Sequence, residues 1–241
     1  MAKTSTAIMA SNSDFVYGLK RGMPITLGYI PVAFTFGLMV VSGGLPPWIA
    51  VFTSMTNLTS AGQFAGIRIL LAGAGYLEIM LTTLVINLRY VLMSLSLTQK
   101  VDPAMPLGKR MVFSFGITDE TFAVAGTEAG RVSFAYLLGL ILGPILAWSG
   151  GTALGGLAST ALPPQLGSAM GIALYAMFIA IIIPPAVKAR QVFGVIAISV
   201  GISVMIKYVP LFSFISAGFR IIIATLVGAG VSARLWPVRE E

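Results

Sequence analysis

The chain has no cysteine and no histidine in its 241 residues. Without thiols there is no disulfide, no thiolate metal site and no cysteine nucleophile. Without imidazole there is no histidine metal ligand and no imidazole proton relay. Charge is scarce as well: 10% of residues are Asp, Glu, Lys or Arg, against about 25% in ordinary soluble domains. A soluble fold of this length could not cover its surface with so few charges. The sequence contains no P-loop G-x-x-x-x-G-K-[ST], no G-x-S-x-G elbow and no H-E-x-x-H pair. It therefore reads as a non-enzyme that needs no cofactor, with the P-loop route to ATP closed to it.

What the sequence has is apolar length. Hydrophobic residues make up 57% of it, and the mean hydropathy is +0.94. Residues 23–41 carry no charge, and neither do residues 132–187. The second run far exceeds the ~20 residues that cross a hydrocarbon core, so it crosses more than once. The glycines at 150–156 and Leu162-Pro163-Pro164 are its natural break. The runs are continuous rather than alternating, which favours helices over a β-barrel. The expected fold is an all-α, polytopic helical bundle forming one transporter domain over 1–241.

Along the chain, residues 1–20 read as a short cytoplasmic tail with no signal-peptide core. Spans are expected at 23–43, 77–98, 132–149, 166–187, 192–208 and 211–233. The segment 47–74 is interrupted at Asn57-Leu58-Thr59-Ser60-Ala61-Gly62, residues 99–110 form the most polar loop, and 111–128 is a weak membrane segment holding Asp119, Glu120 and Glu128. Leu45-Pro46-Pro47 recurs as Leu162-Pro163-Pro164, the mark of a possible internal repeat.

The net charge is +7, which in a soluble protein would point to nucleic acid. Here the basic residues cluster as Lys20-Arg21, Lys100 with Lys109-Arg110, Lys188 with Arg190, and Arg234 with Arg239. Each cluster flanks an apolar run, so they mark the cytoplasmic side of a bilayer and no nucleic-acid partner is expected. With Lys20-Arg21 inside, a single crossing by 47–74 would place the loop 99–110 outside. The conflict disappears if 47–74 enters and returns as a broken helix pair, and if 111–128 re-enters from inside. Both termini then face the cytoplasm. Irregular backbone at membrane depth is tolerated only within protein or beside a water-filled cavity, and broken helices offer helix ends to a ligand.

Ionisable groups inside a membrane are costly and mark function by default. Asp119 and Glu120 are adjacent, so on a helix they point about 100° apart. One is placed to face a cavity while the other meets a basic group. Arg89 lies inside the 77–98 span, where it binds a substrate carboxylate or pairs with one of these acids. Asn87, Tyr90 and Ser94 share one helical face. Ser60, Ala61, Gly62 and Gln63 form a small polar turn at a break, suited to close backbone approach. Arg220, midway along the last span, reads as half of a structural pair.

Four segments then carry a resemblance: Tyr29-Ile30-Pro31-Val32-Ala33-Phe34, Ser60-Ala61-Gly62-Gln63-Phe64, Asn87-Leu88-Arg89-Tyr90 and Thr118-Asp119-Glu120-Thr121-Phe122. In this order and spacing they resemble the AzlC family of branched-chain amino acid exporters, over about residues 15–240. The resemblance implies export of valine, leucine and isoleucine, with methionine as a further substrate, across the bacterial inner membrane. It also implies secondary transport coupled to the membrane potential or to protons, and a small AzlD-type membrane subunit as partner. The family often has histidine where this chain has Tyr90, and the small residues of Thr59-Ser60-Ala61-Gly62-Gln63-Phe64 are shuffled relative to its pattern. On this reading Ser60, Ala61, Gly62, Gln63, Asn87, Arg89 and Tyr90 line the site, with Thr118 alongside. Asp119 or Glu120 binds the substrate ammonium or a coupling proton. The rival readings are an ion channel and a structural subunit of a membrane complex.

The returning segment is directly testable in a cysteine-free chain. A single cysteine introduced near position 75 is expected to react with an impermeant maleimide added from outside. Reaction from the cytoplasmic side alone overturns the hairpin.

Overall fold

The computed structural model describes residues 2–159 and 189–236, with residues 179, 182, 183, 186 and 187 between them. The expected span at 166–187 and the second Leu-Pro-Pro lie outside the continuously described residues. Nine α-helices are described: α1 (Ala2–Ser42), α2 (Pro47–Thr56), α3 (Ala61–Leu71), α4 (Tyr76–Thr98), α5 (Leu107–Ser114), α6 (Asp119–Thr127), α7 (Phe134–Ala158), α8 (Arg190–Tyr208) and α9 (Ala217–Leu235). Five are long and apolar enough to cross a membrane: α1 from Ser13, α4, α7, α8 and α9. The chain forms two compact units, Met1–Ser60 with Leu88–Ala173, and Ala61–Asn87 with Leu174–Glu241.

The core of the first unit is α1 against α7, and glycine sets their separation. A Cβ at Gly18 would overlap the Tyr136 carbonyl, one at Gly22 the Leu140 carbonyl, and one at Gly37 the Thr152 carbonyl. From the other side, Gly139 abuts the Phe15 carbonyl and Gly155 that of Phe34. Lipid tails are as apolar as leucine, so helices in a bilayer associate through close packing of this kind. Ser54 of α2 joins the seam by a buried 2.7 Å hydrogen bond to Thr152. The glycines at 150–156 are therefore not the break expected from sequence. α7 runs unbroken for 25 residues, because glycine that weakens a helix in water here provides its contact surface.

Contacts along this seam advance together, from Gly18–Tyr136 to Gly37–Thr152, so α1 and α7 are parallel. At its start, Glu128 accepts hydrogen bonds from Arg21 Nε at 2.8 Å and Tyr136 at 3.0 Å, and its backbone carbonyl accepts from Lys100 Nζ at 2.6 Å. The Val132 N–H donates to the Lys100 carbonyl at 2.9 Å. The chain that leaves at Lys100 thus comes back to the same end at Val132, beside Arg21. α5 and α6, of 8 and 9 residues, span only about 12–14 Å each. Each is too short to cross a hydrocarbon core of ~30 Å, and together they begin and end at the same end of the α1–α7 pair. The C-terminal part of α4 reaches this end at Thr98, two residues before Lys100. α2 and α3, of 10 and 11 residues, are each too short to cross a core of ~30 Å.

Other boundaries differ from the sequence expectation. α1 extends through the expected tail to Ala2, since no proline interrupts residues 2–23. Its Pro24 and Pro31 lie in a membrane helix, where such residues are tolerated. α5 starts inside the expected polar loop at Leu107, because Arg110 ties that loop together through the carbonyls of Met105, Asp102 and Pro103. The last span begins at Ala217, after a 3₁₀ turn at Pro210–Phe212. Ser216 caps it, and the Gly218 N–H donates to Glu78 Oε1 of α4 at 3.0 Å.

Replacing Gly37 or Gly155 by alanine is expected to destabilise the protein by about 1–3 kcal/mol, read from denaturation in detergent. Gly150, which faces open space, tolerates the same change. Equal tolerance at all three positions would mean that α1 and α7 do not meet at these glycines.

Candidate functional site

Two breaks in helices meet at α4. The first is residues 57–60, between α2 and α3. The second is residues 115–118, between α5 and α6. Thr56–Thr59, Tyr90 and Ser94 of α4, and Ser114, Phe115 and Ile117 line a pocket of about 230 Å³ between them. This is below the ~300–1,000 Å³ of pockets that bury drug-sized ligands, so it suits a smaller molecule. No lysine, arginine, aspartate or glutamate lines it. Two helix C-termini border it, that of α2 at Thr56 and that of α5 at Ser114. Helix C-termini carry partial negative charge and favour a cation. Thr59 Oγ1 is buried without a hydrogen-bond partner among the described residues, leaving a polar group for a guest. Leu58, Phe115 and Ile117 supply apolar wall.

The charged residues stand beside this pocket. Thr118 caps α6 in a reciprocal capping box with Thr121, which places Asp119 and Glu120 in the first turn, where acids favour the helix dipole. Asp119 pairs with Arg89 NH1. Arg89 NH2 donates to Tyr90 Oη at 3.4 Å, and the guanidinium lies 5.1 Å from the centre of the Tyr90 ring. Glu120 turns the other way, as adjacent helical residues must, and accepts from Tyr29 Oη at 2.6 Å. Tyr29 also reaches Thr118 Oγ1 at 2.8 Å. It is 3% exposed, held edge-on against Trp148 of α7 with ring centres 5.2 Å apart. The α1–α7 seam therefore positions the tyrosine that meets α6.

Of the residues expected from sequence, the structure joins Arg89, Tyr90, Thr118, Asp119 and Glu120 into one cluster, and Tyr90 also lines the pocket. Ser60, Ala61, Gly62, Gln63 and Asn87 do not line it. Ser60 has φ +46°, a strained turn for a residue with a side chain, and its Oγ is buried without a partner among the described residues. Ala61, Gly62 and Gln63 form the first turn of α3, with Gly62 and Gln63 buried. Asn87 Oδ1 is likewise buried without a described partner. Tyr29 opens the first of the four family-like segments, and nothing in its local sequence marks a role for its hydroxyl. The break at 115–118 was not foreseen, although Gly116 ahead of a Thr-x-x-Thr box is a helix-start signal.

The model of the family described as AzlC protein matches residues 24–162. The chain belongs to the AzlC family. It is 36% identical over 186 residues to an uncharacterized membrane protein of Archaeoglobus fulgidus, covering 76% of this chain and 81% of the other. It is 31% identical over 179 residues to the inner membrane protein YgaZ of Escherichia coli K12, covering 71% and 73%. No solved structure matches it. This AzlC protein is thus a multi-pass integral membrane protein, and the matched region contains both helix breaks, the pocket and the whole charged cluster.

The Arg89–Asp119 pair is part-buried, with side chains 35% and 27% exposed. It falls between the 0–1 kcal/mol of surface pairs and the 3–5 kcal/mol lost on breaking a buried one. A double-mutant cycle on Arg89→Ala and Asp119→Ala is expected to give a coupling of about 1–3 kcal/mol. Coupling near zero would show that the pair does not form in the membrane.

Proposed function

We propose that this AzlC protein is a secondary exporter of valine, leucine and isoleucine, with methionine as a further substrate. It would work in the bacterial inner membrane with a small AzlD-type subunit, its termini on the cytoplasmic side. The observation that carries this reading is the small, uncharged pocket where two broken helices meet. Transporters build midplane sites from discontinuous helices, whose ends substitute for charged side chains. Here the bordering helix ends are C-termini, matched to a substrate ammonium. The Tyr90 and Ser94 hydroxyls are donors for a carboxylate, and Leu58, Phe115 and Ile117 suit a branched aliphatic side chain. Gln63, Asn87 and the Ser60 turn are further substrate contacts in this reading because they stand in the family-like segments. Membership of the AzlC family and the likeness to YgaZ support the same reading.

The test is efflux of valine and leucine from preloaded cells, with and without an AzlD-type partner. Efflux is expected to rise with the pair and to fall to background in Ser94→Phe, which fills the pocket, once membrane insertion of the variant is verified. Ion conductance insensitive to these amino acids would favour a channel. Full efflux in Ser94→Phe would remove the pocket from the route.

A further inference from the structure

The two adjacent acids of α6 are not equivalent. Arg89 contributes one positive charge to the cluster, while Asp119 and Glu120 each contribute a negative one when ionised. The ion pairs among the described residues are Arg89–Asp119 and Arg21–Glu128, so Glu120 is in neither. The titratable groups that interact with it are Tyr29 from α1, Asp119 on its own helix and Tyr90 from α4, while Arg89 is engaged by Asp119. α7 presents Trp148 to Tyr29, which does not titrate. With every acid ionised the cluster carries one net negative charge, which is unfavourable at membrane depth and is cancelled by a single proton.

The hydrogen bonds around Glu120 can register that proton. Tyr29 has one hydroxyl hydrogen and two oxygen partners, Glu120 Oε2 at 2.6 Å and Thr118 Oγ1 at 2.8 Å. With Glu120 ionised, the tyrosine hydrogen goes to the carboxylate, which can only accept. The Thr118 hydroxyl then donates to the tyrosine oxygen. With Glu120 protonated, its O–H donates to Tyr29 and the tyrosine hydrogen turns to Thr118 Oγ1. That oxygen is also the N-cap of α6, accepting from Thr121 N–H at 3.4 Å. Thr121 Oγ1 in turn donates to the Gly116 carbonyl at 2.9 Å, between Phe115 and Ile117 in the pocket wall. Protonation also removes the negative charge that the first turn of α6 favours.

We propose that Glu120 is the proton-exchange site of this protein, with Asp119 held as a fixed counter-ion by Arg89, and that Tyr29 and Thr118 pass its protonation state to the break at 115–118. The proton comes from water and returns to water, and the relay moves hydroxyl hydrogens without net transfer. The assignment extends the transport reading, but its first test does not depend on transport.

That test is infrared difference spectroscopy of the purified full chain in lipid, titrated with acid. A carboxyl C=O band that appears on acidification is expected in the wild type and in Asp119→Asn, and is expected to be lost in Glu120→Gln. Tyr29→Phe is expected to move the band in frequency, because the carboxyl loses its hydroxyl partner; this variant tests the assignment if Glu120→Gln fails to fold. Persistence of the band in Glu120→Gln, its loss in Asp119→Asn, or an unmoved band in Tyr29→Phe overturns the proposal. In proteoliposomes containing the AzlD-type partner, Glu120→Gln is expected to lose the acceleration of efflux by an inward proton gradient that the wild type shows. Retained acceleration likewise overturns it. A wild type that moves no branched-chain amino acid while its band titrates as expected refutes the transport reading and supports Glu120 as the proton site.

Discussion

The approach of α1 to α7 at backbone distance is the constraint on which the rest of the first unit depends. Water supplies no drive for two apolar helices to associate inside lipid, so the stabilisation comes from dispersion and from contacts that only small residues permit. Glycines on both helices let each backbone meet the carbonyls of the other. The same approach fixes Trp148 against Tyr29 and Thr152 against Ser54. Through Tyr29 it holds the start of α6, and through Ser54 it holds α2. Both helix breaks that border the pocket are thereby referred to one rigid pair.

On that frame the polar interior separates into two chemistries. The pocket is lined by hydroxyls, helix ends and apolar groups without a charged side chain. The charges sit next to it, at the first turn of α6. Adjacency in sequence gives Asp119 and Glu120 different partners, because a rotation of about 100° sends one to Arg89 on α4 and the other to Tyr29 on α1. A membrane protein that kept both acids on one face would have to neutralise two negative charges in one place.

The spans among the described residues, the interruption at 57–62 and the pairing of Arg89 with an acid were legible in the sequence, because each depends on a property visible locally: run length, a polar cluster in an apolar segment, or an ion that has to be neutralised. The basic clusters also led to the return of the chain between Lys100 and Val132. The glycines at 150–156 misled for a physical reason. In water glycine marks the end of a helix, whereas in lipid it marks where another helix lies, and residue identity alone does not say which solvent rule applies. Tyr29 was hidden because a tyrosine in a span is ordinary until its hydroxyl is known to meet Glu120. The pocket wall at 115–118 was hidden because its residues are separated in sequence from Thr56–Thr59 and come together only through α4.

The separation of pocket and charges bears on how a zwitterion and a proton share one protein. Were Glu120 in the pocket itself, ammonium and proton would compete for the same oxygens, and binding one would exclude the other by contact alone. Instead the two places where positive charge is favoured are distinct: the C-terminal helix ends at the pocket, and the carboxylate at the start of α6. What they share is residues 115–118, which wall the pocket on one side and cap α6 on the other. In the proposed cycle any coupling between substrate and proton therefore runs through the conformation of that break. Its strength is set by how differently the two protonation states stabilise the cap, which makes Thr118, uncharged and 4% exposed, as important to coupling as the acid it neighbours.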